Sequence, residues 1–350
     1  MNPVDDPRLP AERLLRAAFG AQAAQILYVA AKLGLADRLQ HGTASAAELA
    51  AVLDVDALGL QRLLRALVGL GVCNEPNECC FGLTPLGQYL RTDHPDSVVA
   101  RVVLNVEVHH ALWNDLLATV RTGESASRRV YGVPFYEYLQ RNRAAGAAFD
   151  QAMAGGGWIR HRLRPALEAY DFGQFRSIVD IGGGNGALMA EILLAHPRVR
   201  GTVYDLSRLA PAAQSTLAEA GVTDRCDFVA GDALASVPEG HDGYVLSNFI
   251  NSLSDDDALT VLRHCRRAIH PDGKLLLLDW VQATGDDLRD SYRAWDTVTM
   301  DIVMLAAFGS RGGRMRTSSE FRSLLDLAAF TVTALVPTCA SIFVIEAQPR

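Results

Sequence analysis

The stretch from Ser177 to Ala187 reads Ser-Ile-Val-Asp-Ile-Gly-Gly-Gly-Asn-Gly-Ala, a short apolar run followed by four glycines within five positions. Such a run predicts a buried strand that enters a tight turn. Leu188, Ile192 and Leu193 then recur at helical spacing, so a helix should begin directly after the turn. The free N–H groups and the positive dipole end at that helix start favour a ligand with negative or polar parts.

Acidic residues beside this turn distinguish between two classes of nucleoside cofactor. Residues 182–187 fit the loose dinucleotide pattern Gly-x-Gly-x-x-Ala, so a nicotinamide cofactor is one alternative. However, Asp180 precedes the glycines, Asp205 ends the next apolar run, and Asp232 follows the third. Carboxylates suit ribose hydroxyls and an adenine amino group, whereas the lack of Arg and Lys in residues 177–196 disfavours a pyrophosphate. The stretch therefore favours S-adenosylmethionine (SAM), a sulfonium cofactor.

Composition excludes several classes of protein. The chain has 350 residues, 49% of them hydrophobic, which is enough for two domains with cores of their own. A formal net charge of −7 disfavours nucleic acid as a partner. No apolar run is as long as a membrane span and the start of the chain is polar, so we expect a cytoplasmic protein without a membrane partner. The six cysteines lack paired metal-ligand spacing, so no metal site is expected.

Hydrophobic periodicity divides the chain into three segments. Residues 1–100 predict an N-terminal α-helical, winged-helix-like dimerisation domain, and residues 101–170 predict a helical linker that contributes to an acceptor pocket. Residues 171–350 predict a Rossmann-like SAM-binding domain, because strands and helices alternate there. The expected fold class is therefore α/β.

The first segment contains an apolar start and a winged helix. Few charges interrupt the apolar positions of residues 11–39, which predicts a helix that packs against a second copy of the chain. Ser45 should cap a helix, Asp56 should begin the next one, and the runs at 72–73 and 80–83 should form the wing hairpin. A DNA-binding regulator is the alternative, but acidic residues outnumber basic ones in residues 43–92, which opposes contact with phosphates.

The middle segment holds much of the aromatic content of the chain. Breaks are expected near Gly123 and residues 131–134, between helices. A lining of Met and aromatic side chains fits a pocket for a flat aromatic substrate, although ordinary helix packing explains most of these residues equally well. His109 and His110 also lie here, with helix packing as the alternative to a catalytic role.

Five runs predict the strands of a parallel sheet: 177–181, 201–204, 227–230, 243–247 and 274–279. Helical segments between them should cover both faces of the sheet. Ligands of such sheets bind beyond the carboxyl ends of the strands, where Gly182, Asp205, Asp232 and Ser247 all fall. Two further β-rich runs, 330–335 and 341–345, predict a closing hairpin.

Six short motifs together resemble one known family. They are 179–186 (Val-Asp-Ile-Gly-Gly-Gly-Asn-Gly), 201–206, 224–226, 231–233, 269–273 (Ile-His-Pro-Asp-Gly) and 312–317 (Gly-Gly-Arg-Met-Arg-Thr). The set resembles the dimeric class I SAM-dependent O-methyltransferases of the plant caffeate type and their bacterial secondary-metabolite relatives, including anthracycline-tailoring members. The likeness covers nearly the whole chain. It implies a homodimer with a Rossmann-like methyltransferase sheet and an N-terminal winged-helix dimerisation domain.

The resemblance implies roles for individual residues around the sheet edge. Gly182 and Gly184 would approach the methionine portion of SAM, and Asp205 would hold the ribose hydroxyls. Asp232 and Ala233 would flank the adenine, whereas Ser247 stands where plant members have a lysine. The full set expected at the cofactor is Asp180, Gly182, Gly184, Asp205, Leu206, Asp232, Ala233 and Ser247. The acceptor pocket is expected to include Met153, Trp113, Asn248 and Met304.

The catalytic positions depart from the plant pattern. Where that pattern has His-Asp-Trp, this chain has residues 251–253, Asn-Ser-Leu, and an amide cannot take a proton from a hydroxyl. One supporting glutamate is replaced by Asp279 and the other by Met315. In one hypothesis, positioning alone drives methyl transfer, with Asn251 orienting the acceptor and His109, His110 or Asp279 handling the proton.

In the other hypothesis, the protein binds SAM but catalyses hydroxylation, decarboxylation or cyclisation. Methyl transfer to carbon or nitrogen also stays open. We expect an enzyme that transfers the methyl group of SAM, most simply to oxygen, on a small aromatic or polyketide-like molecule.

Overall fold

The computed structural model describes residues 10–154, 163–285, 292–339 and 341–350. These residues belong to two compact units. The first unit lies within Met1–Ala111 and Asn142–Gly157, and the second unit lies within Leu112–Arg141 and Trp158–Arg350. In these described ranges, no helix combines the length and the apolar character that crossing a bilayer requires.

The first unit begins with three helices, α1 (Pro10–Ala18), α2 (Gly20–Lys32) and α3 (Leu35–Leu39). The expectation of one helix over residues 11–39 is therefore wrong. Gly34, between α2 and α3, has a φ of 61°, a left-handed conformation that glycine adopts without steric cost. This residue redirects the chain where periodicity alone predicts a continuous helix.

A winged helix follows, as the sequence predicts. Its elements are β1 (Ala44–Ser45), α4 (Ala46–Leu53), α5 (Ala57–Gly69), β2 (Cys73–Asn77) and β3 (Cys80–Leu83), with an antiparallel strand order of β1-β3-β2. Ser45 caps α4 through a capping box with Glu48, and the Asp56 side chain caps α5 by accepting the Gly59 N–H. The caps, helices and hairpin expected here are confirmed.

Short helices make up the middle of the chain. They are a 3₁₀ turn (Gly87–Leu90), α6 (Val99–Leu104), a π-helix (Asn105–His109), α7 (His110–Asn114), α8 (Leu116–Thr122), α9 (Ala126–Tyr131), α10 (Phe135–Arg141) and α11 (Arg143–Ala154). Gly123 and Gly132 have positive φ and follow α8 and α9, so both expected breaks are confirmed. The π-helix was not predicted, because apolar spacing does not distinguish it from an α-helix.

The second unit is built on a seven-stranded sheet within the described residues. Its strands are β4 (Ser177–Ile181), β5 (Arg200–Asp205), β6 (Cys226–Ala230), β7 (Gly243–Ser247), β8 (Lys274–Trp280), β9 (Phe330–Pro337) and β10 (Ile342–Pro349). They are ordered β6-β5-β4-β7-β8-β10-β9, and the first five are parallel. Because β10 pairs antiparallel with β8 and β9, the closing hairpin is confirmed.

Helices connect these strands and cover both faces of the sheet. They are α12 (Arg164–Ala169), α13 (Ala187–Ala195), α14 (Ala210–Glu219), α15 (Asp255–Ala268), α16 (Tyr292–Phe308) and α17 (Ser318–Leu327), with 3₁₀ turns at Phe172–Gln174, Ser207–Leu209 and Ile250–Ser252. On β8, Leu276 and Leu278 belong to one core cluster, whereas Leu275 and Leu277 belong to another. Alternate residues thus face opposite layers, which leaves polar side chains mainly at the strand ends.

Candidate active site

The glycine turn after β4 leaves open space on one side. Gly182, Gly184 and Gly186 all have φ between 59° and 75°, which residues with a Cβ rarely adopt. A Cβ on Gly182 would overlap the Phe249 ring, so this glycine makes room for packing within the protein. A Cβ on Gly184 would meet no heavy atom within 4 Å. Room for a ligand therefore lies beside Gly184.

Asp205, the last residue of β5, is bonded directly to this turn. Its Oδ2 accepts the N–H of Gly184 at 2.8 Å, and its Oδ1 accepts the N–H of Leu206 at 2.6 Å. A carboxylate has about four lone-pair sites, so these two bonds orient the group and leave it able to accept further donors. Leu206 itself is 37% exposed at the same edge.

Asp180 lies beneath the turn and has an uncompensated carboxyl group. It is 1% exposed, and neither of its side-chain oxygens has a hydrogen-bond partner among the described residues. A Cβ on Gly183 would lie 2.8 Å from its Oδ2, so the carboxyl group packs against the backbone of the turn. Burial, followed by the charge of Asp205, raises the pKa of Asp180 to about 7. A cationic ligand would stabilise the ionised form of Asp180, so this carboxyl group fits the positively charged SAM.

The remaining cofactor candidates lie at the ends of β6 and β7. Asp232 is exposed, and its Oδ1 accepts the N–H of Leu234 at 2.9 Å, which orients the carboxylate. Ala233 is buried, and its carbonyl oxygen lies 3.0 Å from Nδ1 of His264. The Ser247 hydroxyl is half-buried at the end of β7. The structure thus brings all eight candidates to the carboxyl edge of four neighbouring strands.

Asn251 and Asp279 form a buried pair at the same edge. Asn251 is 7% exposed in the turn Ile250–Ser252, and Asp279 is fully buried near the end of β8. The N–H of Trp280 donates to Oδ1 of Asp279 at 2.8 Å, and the backbone and side chain of Asn251 also hydrogen-bond this carboxyl group. Burial raises the pKa of Asp279 to about 7, against the opposing effects of the Trp280 N–H, Arg316 and Asn251. This carboxyl group therefore changes charge near neutral pH.

Three acceptor-pocket candidates belong to the second unit. Asn248 adopts a φ of 50°, and its Oδ1 accepts the indole N–H of Trp280 at 2.8 Å. Its amide oxygen is therefore already occupied in fixing a neighbouring aromatic ring. Met304 packs against the core cluster that contains Trp280, and Trp113 is half-buried on α7.

The other acceptor and proton-transfer candidates belong to the first unit. His109 ends the π-helix, and burial, followed by the charge of Arg101, lowers the pKa of its imidazole to about 4. A base with this pKa is neutral but weak at physiological pH. His110 and Met153 are both half-buried, on α7 and α11.

Tyr136, on α10, is a polar group that the sequence did not single out. Its hydroxyl hydrogen-bonds Ser252, in the same turn as Asn251. Desolvation of the hydroxyl is the main cause that raises the pKa of this phenol, and the charge of Asp205 adds to it, although the side chain as a whole is 40% exposed. Its ring also lies beside Phe308, with centroids 5.5 Å apart. Only its place among other aromatic residues hinted at a pocket role, and nothing local marked it as different from them.

The mostly parallel sheet with helices on both faces defines an α/β fold, and ligands of such folds bind at the carboxyl edge of the parallel strands. Two family models match the chain, an O-methyltransferase dimerisation domain over residues 15–93 and an O-methyltransferase domain over residues 113–331. The chain therefore belongs to the O-methyltransferase family and is a SAM-dependent methyltransferase, which confirms the predicted family, cofactor and fold class.

Three comparisons illustrate the range of this family. The phenazine O-methyltransferase PhzM of Lysobacter antibioticus is 36% identical, over 96% of this chain and 95% of the relative. The aclacinomycin 10-hydroxylase RdmB of Streptomyces purpurascens is 38% identical, over 88% of this chain and 80% of the relative. The O-methyltransferase NcsB1 from neocarzinostatin biosynthesis was crystallised with SAM and 2-hydroxy-5-methyl naphthoic acid. It is 31% identical, with a TM-score of 0.78 over 94% of this chain and 96% of that one.

Proposed function

We propose that this protein transfers the methyl group of SAM to a hydroxyl group on a small aromatic or polyketide-like molecule. One observation carries the proposal. A glycine turn with open space beside Gly184 and the Asp205 carboxylate bonded to it shares a sheet edge with the Asn251–Asp279 pair. The first group of residues suits the cofactor, and the second suits a polar acceptor.

The cofactor would be held by groups that the fold has already oriented. Asp205 accepts the ribose hydroxyls, Asp232 and Ala233 flank the adenine, and Asp180 stabilises the positive charge from below the turn. Gly182, Gly184, Leu206 and Ser247 complete this side. When bound, SAM supplies a methyl group on a sulfonium, which is already an activated leaving group.

Asn251 would orient the acceptor hydroxyl. Both the backbone N–H and the side-chain amide of Asn251 hydrogen-bond Asp279, the backbone N–H with the larger effect on its pKa. We therefore assign the amide NH₂ to that carboxylate and the amide oxygen to the acceptor hydroxyl. The amide oxygen accepts the hydrogen bond of the neutral hydroxyl, and an acidic phenol releases this proton to water as the bond from its oxygen to the methyl group forms and the bond from the methyl group to sulfur breaks. No strong base is needed, so holding the oxygen in line with the methyl group supplies most of the rate. Tyr136 and Ser252 would bound the same space. Trp113, Asn248 and Met304 remain candidates for the rest of the pocket, whereas His109, His110 and Met153 in the first unit remain predictions from the sequence.

We further propose that the first unit mediates a homodimer. Leu14 and Leu15 on α1 are 76% and 50% exposed, and Phe19 between α1 and α2 is 58% exposed, which is a large apolar surface for a monomer. Light scattering after size exclusion tests this proposal. The expected result is twice the 37.8 kDa mass of the chain, whereas a monomer would contradict it.

The activity test uses SAM and a panel of hydroxylated aromatic acids, including 1,4-dihydroxy-2-naphthoic acid. That compound was crystallised with NcsB1. Mass spectrometry should find one methylated product and an equal amount of S-adenosylhomocysteine (SAH). A loss of both in Asp205→Ala would tie them to this site. If the protein binds SAM but methylates no hydroxyl in a broad panel, the proposal is wrong.

A second function is favoured by one residue. Asn251 replaces the histidine base of the plant pattern, and a relative of 38% identity is named as a hydroxylase. Hydroxylation would consume molecular oxygen and a two-electron reductant, both added to the assay, and would yield an oxygenated product without stoichiometric SAH. The same assay therefore separates the two functions.

A further inference from the structure

Arg316 is a buried cation that none of the roles above uses. It is 1% exposed and is one of the largest fully buried side chains. It follows α16 in the segment Gly312–Thr317, far along the chain from Asn251. A buried guanidinium needs partners for its donors, and their identity indicates what the residue does.

The guanidinium binds the turn that carries Asn251 from both sides. Its Nη1 donates to the carbonyl of Ile250 at 2.8 Å, and its Nη2 donates to the carbonyl of Leu253 at 3.0 Å. Within the turn, the N–H groups of Ser252 and Leu253 make bonds of 3.2 Å each, and the Ser252 hydroxyl donates to the Phe249 carbonyl at 2.8 Å. Arg316 adds two bonds from a distant segment, so it contributes directly to the conformation of this turn.

Two further contacts fix Arg316 itself. Asp255, at the start of α15, accepts from Nε at 3.0 Å and from Nη2 at 2.7 Å. The Arg316 carbonyl accepts the N–H of Gln282 at 2.8 Å, beyond the end of β8. Arg316 thus joins the strand that carries Asp279 to the turn that carries Asn251. The planar guanidinium group of arginine has enough N–H donors to bind the two carbonyls and the carboxylate at once, whereas the ammonium group of lysine does not.

The backbone of the same segment also packs on the turn. A Cβ on Gly313 would lie 2.6 Å from the carbonyl oxygen of Asn251 and 2.8 Å from Cα of Ser252. Only a residue without a side chain allows this approach. Gly313 and Arg316 therefore hold residues 250–253 from one loop.

We propose that Arg316 is a positioning residue, which with Gly313 holds the turn 250–253 in the conformation that presents the Asn251 amide to the acceptor. It does so through the carbonyls of Ile250 and Leu253 and touches neither cofactor nor acceptor. The catalytic consequence rests on the proposed function. The effect on the conformation of residues 250–253 does not rest on the proposed function, because it concerns only how well this turn is ordered.

The test compares Arg316→Lys with Arg314→Lys in the full-length protein. Lysine keeps the charge at position 316 but cannot reach both carbonyls, so any loss reflects geometry. Arg314 is the matched control, because it binds Asp255 and Glu320 but no carbonyl of the turn. In Arg316→Lys, hydrogen exchange of a peptide covering residues 249–254 should accelerate about 10-fold. The kcat for a panel acceptor should fall about 100-fold.

Affinity for SAH separates positioning from general damage. By calorimetry, the Kd of Arg316→Lys for SAH should stay within about 3-fold of the parent, because Asp205 and the glycine turn are untouched. Unchanged exchange and kcat in Arg316→Lys would overturn the proposal. So would an SAH affinity that falls as far as kcat.

Gly313→Ala provides a second route if Arg316→Lys does not fold. The added methyl group should displace the Asn251 carbonyl, with faster exchange in the same peptide and intact SAH binding. If this variant keeps the parent exchange and kcat, the loop does not position the turn. If the parent protein methylates no acceptor, the proposed function fails, while the exchange measurement still decides the role of Arg316.

Discussion

The two halves of the proposed site are built in different ways. On the cofactor half, Asp180, Asp205 and Asp232 each lie at or near the end of a strand, and bonds to the local backbone orient two of them. On the acceptor half, Asn251 depends on Arg316, whose partner Ile250 lies 66 positions away. The cofactor half is therefore encoded by short motifs, whereas the acceptor half exists only once distant segments have packed together. This difference predicts that substitutions in one half should spare the other.

Asp205→Ala should have the largest effect. Its removal breaks the bond to Gly184 and removes the proposed ribose acceptor, so SAM affinity should fall about 100-fold. Calorimetry measures this change. Asp227→Ala, at an exposed carboxylate on the neighbouring strand, is the control and should bind normally. Unchanged affinity in Asp205→Ala would refute the ribose assignment.

Asn251→Ala should act on the other half. Losing the amide that orients the acceptor should lower kcat about 30-fold and leave SAM affinity almost unchanged. Steady-state kinetics and calorimetry on the same preparation test the separation. Equal losses of kcat and affinity would remove Asn251 from the acceptor side.

Asp279→Asn tests the proton equilibrium behind Asn251. The pKa of Asp279 is about 7, so its carboxylate, which binds the Asn251 NH₂ most strongly, forms as pH rises through that value. The kcat of the parent should therefore rise through neutral pH. In Asp279→Asn, kcat should be about 10-fold lower and this rise should disappear. A rise that persists in the variant would assign it to another group, such as the acceptor.

Tyr136→Phe should have a smaller effect. It removes one hydroxyl that bonds Ser252 and keeps the ring against Phe308, so kcat should fall about 5-fold. Kinetics at saturating SAM measure the change. A loss as large as that of Asn251→Ala would give Tyr136 a more direct part in the reaction.

Asp180 should make the stability of the ligand-free protein depend on pH. Its folded pKa of about 7 exceeds the unfolded value near 4, so the folded protein binds this proton more tightly. The resulting stability is complete below the unfolded pKa and is lost as pH rises towards 7. For this group, the free energy of unfolding of the ligand-free protein should be about 1 kcal/mol lower at pH 7 than at pH 6, so thermal unfolding should begin at a lower temperature at pH 7. In Asp180→Asn, the free energy of unfolding should depend less steeply on pH, and Asp279 should account for the dependence that remains. The same slope in parent and variant would contradict the raised pKa of Asp180.

Sequence patterns predicted the features that depend on residues close together in the chain. The strands β4 and β7 match their predicted bounds, and the Ser45 and Asp56 caps follow from side chains next to their helices. The break at Gly34 and the π-helix were missed, because apolar spacing continues through both. At the site, strand-end carboxylates were placed correctly at the sheet edge, since parallel strands bring their ends together. Tyr136 and Arg316 could not be assigned, because their partners depend on tertiary packing.

SAH binding, measured by calorimetry on three proteins prepared alike, tests the central claim most directly. The parent and Asn251→Ala should bind SAH with similar affinity, and Asp205→Ala should bind it about 100-fold more weakly. That result would place the cofactor at the glycine turn and the amide on the opposite half. Failure of the parent to bind SAH, or equal losses in both variants, would contradict the account.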